Sequence, residues 1–234
     1  MKRFTWLLLP LLVLWSSLAV LAQEADKPAD TEKTEKPEEK AEEKGEEKAE
    51  EKPAEAEPAK AELEKLAPGF TLKNADGKEV KLSDFKGKLV VLEWINLDCP
   101  WCKAHYEQGD ELVKQQKKLR DDGGVWLTIC SSGAGLQGNF EADTLKKRME
   151  KAGLSATDYL LDADGAVGKK YEAKTTPHCY VIDKEGKLRY RGALDNLRER
   201  RKNDKLEAVN YVQLALDALK ADKKPETTET KPYG

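Results

Sequence analysis

Cys99 and Cys102 bracket Pro100 and Trp101, and they follow the apolar, β-branched run Leu89-Val90-Val91-Leu92-Glu93-Trp94-Ile95. Such a run reads as a buried strand. A short polar turn comes next, and Pro100 suits the first turn of a helix. A sulfur at a helix N-terminus meets unpaired backbone N–H groups and the positive end of the helix dipole, so its thiolate is stabilised. The second sulfur, one turn on, can close a small disulfide with the first. Strand, Cys-x-x-Cys and helix in that order make a redox site. The chain has four cysteines, and one close pair with two singles, Cys130 and Cys179, fits redox chemistry better than a disulfide framework.

The elements around this pair can be read from pattern. Phe70-Thr71-Leu72, Asn74-Ala75-Asp76-Gly77 and Lys78-Glu79-Val80-Lys81-Leu82 read as strand, turn and strand. Ser83–Gly87 is a turn of helix or a loop. After the cysteines one helix is expected to run to about Arg120, with Leu112, Val113, Gln116 and Leu119 on one face. Gly123-Gly124 ends it, and Val125–Cys130 is the next strand. Residues 141–152 read as helix, 159–161 as a short strand and 166–171 as a short helix. Cys179–Ile182 and Lys187–Tyr190 flank the polar turn Asp183-Lys184-Glu185-Gly186 as a hairpin. A last helix over 204–220 carries Val209, Val212, Leu216 and Leu219. The whole implies one α/β domain with a mixed sheet and helices on both faces.

The chain has 234 residues and a formal net charge of -3, totals that suggest neither a nucleic-acid binder nor a polyanion. The charge is unevenly placed. Residues 24–62 hold 16 acidic and 8 basic side chains. With no large apolar side chain until Leu63, this tract cannot build a core and reads as a disordered linker over 23–62. Ahead of it, Met1-Lys2-Arg3, an apolar stretch over 4–21 and Val20-Leu21-Ala22 form a secretory signal peptide over 1–22. An uncleaved membrane anchor is the rival reading. Either places the rest of the chain outside the cytoplasm, in the periplasm or beyond the cell. The redox domain is expected over 63–221, followed by a flexible tail over 222–234.

Three stretches together resemble the thioredoxin-like redoxins, on the branch of the alkyl hydroperoxide reductase/thiol-specific antioxidant proteins and the secreted thiol–disulfide reductases. They are Ala67–Leu72 with Leu82–Lys88, the Cys99–Cys102 stretch, and Thr175-Thr176-Pro177-His178 running into Tyr180–Asp183. The resemblance implies a thioredoxin-like fold, a central mixed sheet flanked by helices with an N-terminal β-hairpin extension. It also implies that Pro177 is a cis-proline facing the cysteines, presenting the backbone of Thr176 to a substrate strand. Glu93, six residues before Cys99, falls where thioredoxins often carry a buried acid. Its apolar neighbours predict burial and a raised pKa, and a carboxylate there could take the proton of Cys102.

The departures narrow the chemistry. Where peroxiredoxins place a proline and a hydroxyl residue ahead of the reactive cysteine, this chain has Leu92 and Asn96. Asp98 stands where thioredoxins usually have tryptophan, and its charge is expected to raise the Cys99 pKa. Trp101, His105 and His178 are candidate modulators; each histidine reads first as a packing or hydrogen-bonding residue. In the thioredoxin-like strand order Cys130 and Cys179 lie ~10 Å apart, too far for a disulfide. Relatives often continue past a Thr-Lys-Pro-Tyr-Gly end into a further cysteine; this sequence ends at Gly234, and no thiol is expected there.

The reading is an exported thiol–disulfide oxidoreductase with Cys99 as nucleophile, Cys102 as resolving thiol, Glu93 as proton acceptor, and Thr176 and Pro177 positioning substrate. Its expected partners are disulfide-containing proteins and a thiol electron donor, with no cofactor, no metal and no nucleic acid. Membrane contact is expected only through an uncleaved N-terminal segment. Two alternatives stand beside it. One is a weak thiol-dependent peroxidase with antioxidant activity; the other is a copper- or zinc-binding chaperone using Cys99, Cys102 and a histidine.

Overall fold

The computed structural model describes residues 60–234. The leader and nearly all of the linker read from the sequence lie outside the described residues. Seven strands form one sheet: β1 (Thr71–Asn74), β2 (Glu79–Lys81), β3 (Val90–Trp94), β4 (Val125–Cys130), β5 (Asp158–Leu161), β6 (His178–Ile182) and β7 (Leu188–Gly192). Their order is β2-β1-β5-β4-β3-β6-β7. Strands β3, β4 and β5 are mutually parallel, while β1, β2, β6 and β7 join antiparallel. The sheet is mixed, and β1–β2 is the N-terminal hairpin extension.

The helices are α1 (Pro100–Tyr106), α2 (Glu111–Asp121), α3 (Ala142–Lys151), α4 (Ala166–Tyr171), α5 (Leu197–Arg200) and α6 (Tyr211–Lys220). Every residue of β3, β4 and β6 is buried, as expected of strands covered on both faces. Side chains alternate across the pleat. Val90, Leu92 and Trp94 therefore join one apolar cluster with Leu127, Ile129, Tyr171 and Tyr180. Val91 and Ile95 join the other, with Cys102, Tyr106, Leu119, Trp126 and Leu216. Glu93 shares the pleat parity of Val91 and so faces this second cluster.

Three expectations differ from the structure. The last helix begins at Tyr211, not at 204, because Asn210 caps it, its Oδ1 accepting from Gln213 N at 2.8 Å. The helix expected to run unbroken to Arg120 is two helices. Backbone pairing stops at Glu107, and Asp110 restarts it by accepting from Lys114 N at 2.8 Å; Gly109 between them carries no side chain to hold helical geometry. The tail expected to be flexible over 222–234 is instead held against β7. Arg191 N donates to Thr228 O at 3.0 Å, and Thr230 N donates to Arg191 O at 3.1 Å. An edge strand offers such unpaired groups to any neighbouring segment. At the other end, Ala61 N already donates to Lys170 O at 2.9 Å, two residues before the expected domain start.

Candidate active site

The β3–β6 register builds the site. Glu93 lies opposite Cys179 and Trp94 opposite His178. The loop entering β6 therefore meets the loop leaving β3. The Thr176–Pro177 bond is cis, and the Cys99 thiol donates to Thr176 O at 3.0 Å. Two stretches far apart in the chain thus touch through one sulfur and one carbonyl.

Cys99 is the N-cap of α1 and Pro100 its first residue. The loop before it is braced by Asn96, whose Oδ1 accepts from Asp98 N at 2.8 Å and whose carbonyl accepts from Cys99 N at 2.9 Å. The position where a peroxidase would carry a hydroxyl is thus occupied by a residue that shapes the turn. The two sulfurs are unlike. A hydrogen bond from Cys102 lowers the Cys99 pKa to about 5, against the effect of burial and with help from the Thr176 side chain and the backbone N–H groups of Cys102 and Trp101. The Cys102 thiol is pushed well up, because it is the donor in that bond and is buried, and because Glu93 and Cys99 are negative neighbours. Cys99 keeps 9% of its surface exposed and Cys102 1%, so a partner can reach only the first.

Glu93 is fully buried. Its Oε2 accepts from Tyr106 Oη at 2.8 Å, Trp126 Nε1 at 2.8 Å and Gln116 Nε2 at 3.4 Å. Its Oε1 has no hydrogen-bond partner among the described residues. Burial outweighs the three donors and lifts the carboxyl pKa to about 7. The raised pKa expected from its neighbours is present, whereas its three donors come from α1, α2 and β4. Gln116 carried a sequence signal, a polar residue on the apolar face of its helix; Tyr106 and Trp126 carried none.

Asp98 is ion-paired beside Cys99, whose pKa is lowered overall, not raised as the charge of Asp98 suggested. Its Oδ1 is held by Arg148 of α3 and lies 3.6 Å from Lys103 Nζ, so its charge is spent on two cations. Trp101 lies under the Arg201 guanidinium, 4.6 Å from the ring centroid. His105 Nε2 is 3.1 Å from Tyr233 Oη, and its Nδ1 is 3.8 Å from Asp195 Oδ2. Burial lowers its pKa, against the pull of Asp195. His178 is neutral: burial, reinforced by Lys174 and Arg191, lowers its pKa to about 4. Its Nδ1 lies 3.0 Å from Tyr180 Oη and 3.3 Å from Lys174 N. Each histidine is packed and hydrogen-bonded.

Among the described residues no three His, Cys, Asp or Glu side chains group as metal ligands. Cys130 and Cys179 are buried free thiols. An open cleft of about 620 Å³ borders the proline loop, lined by Asn96, Ser131, Lys174 and Thr176 among others.

The sheet, the flanking helices and an asymmetric dithiol beside a cis-proline define a thioredoxin-like oxidoreductase. More narrowly, a family model described as AhpC/TSA family matches residues 63–191, and the chain belongs to that family. Thiol-disulfide oxidoreductase ResA of Bacillus thuringiensis subsp. konkukian (strain 97-27) is 29% identical over 129 residues, covering 55% of this chain and 68% of that protein. Among solved structures, an uncharacterized conserved protein from Geobacillus kaustophilus is 30% identical with a TM-score of 0.61, covering 74% of this chain and 94% of the other. A hypothetical protein from Sinorhizobium meliloti 1021 has a TM-score of 0.64 at 24% identity, covering 74% and 92%, and shares the fold.

Proposed function

We propose that the protein is an exported thiol–disulfide oxidoreductase acting on disulfides of other proteins. The inequality of the two thiols carries this reading. The thiolate is the nucleophile in disulfide exchange, and at neutral pH Cys99 is ionised while Cys102 holds its proton. In the reductive direction Cys99 Sγ⁻ attacks one sulfur of the substrate disulfide. That S–S bond breaks, and the other substrate sulfur leaves as a thiolate. A mixed disulfide with Cys99 remains. Glu93 then accepts the Cys102 proton, its pKa near 7 being matched to that task. The Cys102 thiolate attacks Cys99 Sγ and releases the second substrate thiol. Two electrons have passed to the substrate, and Cys99 and Cys102 are left bridged. A thiol donor of the same compartment returns the electrons. Export rests on the basic, apolar and small-residue order over residues 1–22.

Thr176 and Pro177 position the substrate, the Thr176 backbone lying against the nucleophile. Insulin reduction with a dithiol donor tests the proposal. The wild type is expected to precipitate the freed insulin chains, and a Cys99→Ser variant equally active would overturn it. Leu92 and Asn96, in place of the proline and hydroxyl residue of peroxiredoxins, weigh against the peroxidase alternative.

A further inference from the structure

Thr176 O is shared. Cys99 Sγ reaches it from one side at 3.0 Å. From another, Gly234 packs so closely that a Cβ built on it would stand 2.6 Å from that oxygen and 2.7 Å from Thr176 N. The preceding Tyr233 is 2% exposed. Its ring meets Trp101 edge-on with centroids 4.9 Å apart; its hydroxyl donates to Asp195 and lies 3.1 Å from His105 Nε2. One residue of the redox motif, one residue of its helix and the loop after β7 thus form a slot with an aromatic side chain in it.

The approach to this slot is anchored. Residues Thr228–Thr230 pair with Arg191 on the edge of β7. Thr230 Oγ1 accepts from Ala193 N at 2.9 Å and sits 2.6 Å from Tyr190 Oη. Gly192 leaves room for Thr230, since a Cβ there would come within 2.3 Å of Thr230 Oγ1. Beyond Thr230, the contacts of Tyr233 and Gly234 are with the redox site.

We propose that Thr228–Gly234 is an intramolecular strap whose tip occupies the docking position of a substrate strand, with Tyr233 filling a slot for an aromatic side chain of the substrate polypeptide. This rests on the thiol–disulfide reading for the identity of the substrate. The strap's backbone lies where Thr176 would pair with an incoming strand, so both cannot be seated together. An extended polypeptide whose aromatic residue replaces Tyr233 recovers the contacts with Trp101, His105 and Asp195 that the strap gives up. One without an aromatic residue recovers fewer and competes less well.

The test is the rate at which a bulky aromatic disulfide, 5,5′-dithiobis(2-nitrobenzoate), labels Cys99 in the reduced full chain. The rate is read as released 2-nitro-5-thiobenzoate, two per protein because Cys102 resolves the mixed disulfide on Cys99, and is compared at equal thiolate fraction. Tyr233→Ala is expected to label about tenfold faster than wild type, the loss of one aromatic contact and of the hydroxyl's hydrogen bonds. Tyr233→Phe should fall between them. Gly234→Ala, which disturbs the tip without touching the aromatic slot, should also label faster and serves if Tyr233→Ala folds poorly. Small, uncharged iodoacetamide should discriminate less among the four proteins. Equal rates with the bulky reagent across folded variants would overturn the strap. Insulin reduction separates the two readings. Faster labelling with no insulin reduction in any variant leaves the strap standing and removes the reductase; equal labelling with active reduction does the reverse.

Discussion

Arg148, in the last turn of α3, holds the carboxylate of Asp98, the residue immediately before the nucleophilic sulfur. This pair explains how a carboxylate can sit beside Cys99 while the thiol stays acidic. Arg148 is itself fixed by stacking on Phe140, 4.1 Å from the ring centroid. Replacing it with alanine leaves Asp98 to Lys103 alone. The Cys99 pKa should then rise by about one unit, read as the midpoint of thiolate absorbance against pH. Asp98→Asn added to Arg148→Ala should restore the midpoint; a double variant as shifted as the single would show that Arg148 acts by another route.

Cys99 should alkylate with a pH midpoint near 5 in the reduced protein. A thiol this acidic stabilises the reduced state at neutral pH, so the reduction potential should be less negative than that of thioredoxin, about -270 mV. Equilibration with glutathione buffers measures it.

Stability should follow the same groups. The folded pKa of Cys99 lies below its unfolded value of 9.0, so its contribution is full above pH 9.0 and is lost as pH falls towards about 5. Glu93 works in the opposite sense: its pKa rises from 4.5 to about 7 on folding, so stability is lost as pH rises through that interval. Between pH 7 and 9.0 Cys99 acts alone of the two. Reduced wild type should therefore become more resistant to urea across that range relative to Cys99→Ser, whose curve should lack that rise.

Glu93→Gln keeps the shape of the side chain and removes the proton acceptor. Attack by Cys99 should persist, while resolution by Cys102 slows on the order of 100-fold. The mixed disulfide with substrate should accumulate and be visible by non-reducing electrophoresis. A variant that turns over at the wild-type rate would remove Glu93 from the mechanism.

Trp126 supplies one of the donors to Glu93 Oε2 from a side chain with no exposed surface. Trp126→Phe should cost about 1–3 kcal/mol of stability and raise the Glu93 pKa further, shifting the pH optimum of the resolving step upward.

Much of the site was legible because it is local. Strand, turn, two cysteines and helix are contiguous, and burial of Glu93 follows from the apolar residues on both sides of it. The charge balance around Asp98 was not legible, because Arg148 is 50 residues away in the chain. The same holds for the tail. Residues 222–234 look unstructured by composition, yet β7 offers an unpaired edge and Trp101 an aromatic face, and neither can be seen from the tail's own sequence.

Local residue order set the chemistry: where the sulfurs lie, that they are one helical turn apart, and which strand buries the acid behind them. Nearest-neighbour periodicity and steric preference act within a few residues, so these could be read directly. The environment of that chemistry came from long-range packing. Strand register set Thr176 against Cys99, packing of three elements set the donors on Glu93, and an open sheet edge set Tyr233 on Trp101. Each depends on surfaces that exist only after distant segments have been brought together, and burial there changes the free energy of charge that a single stretch of chain leaves at its solution value.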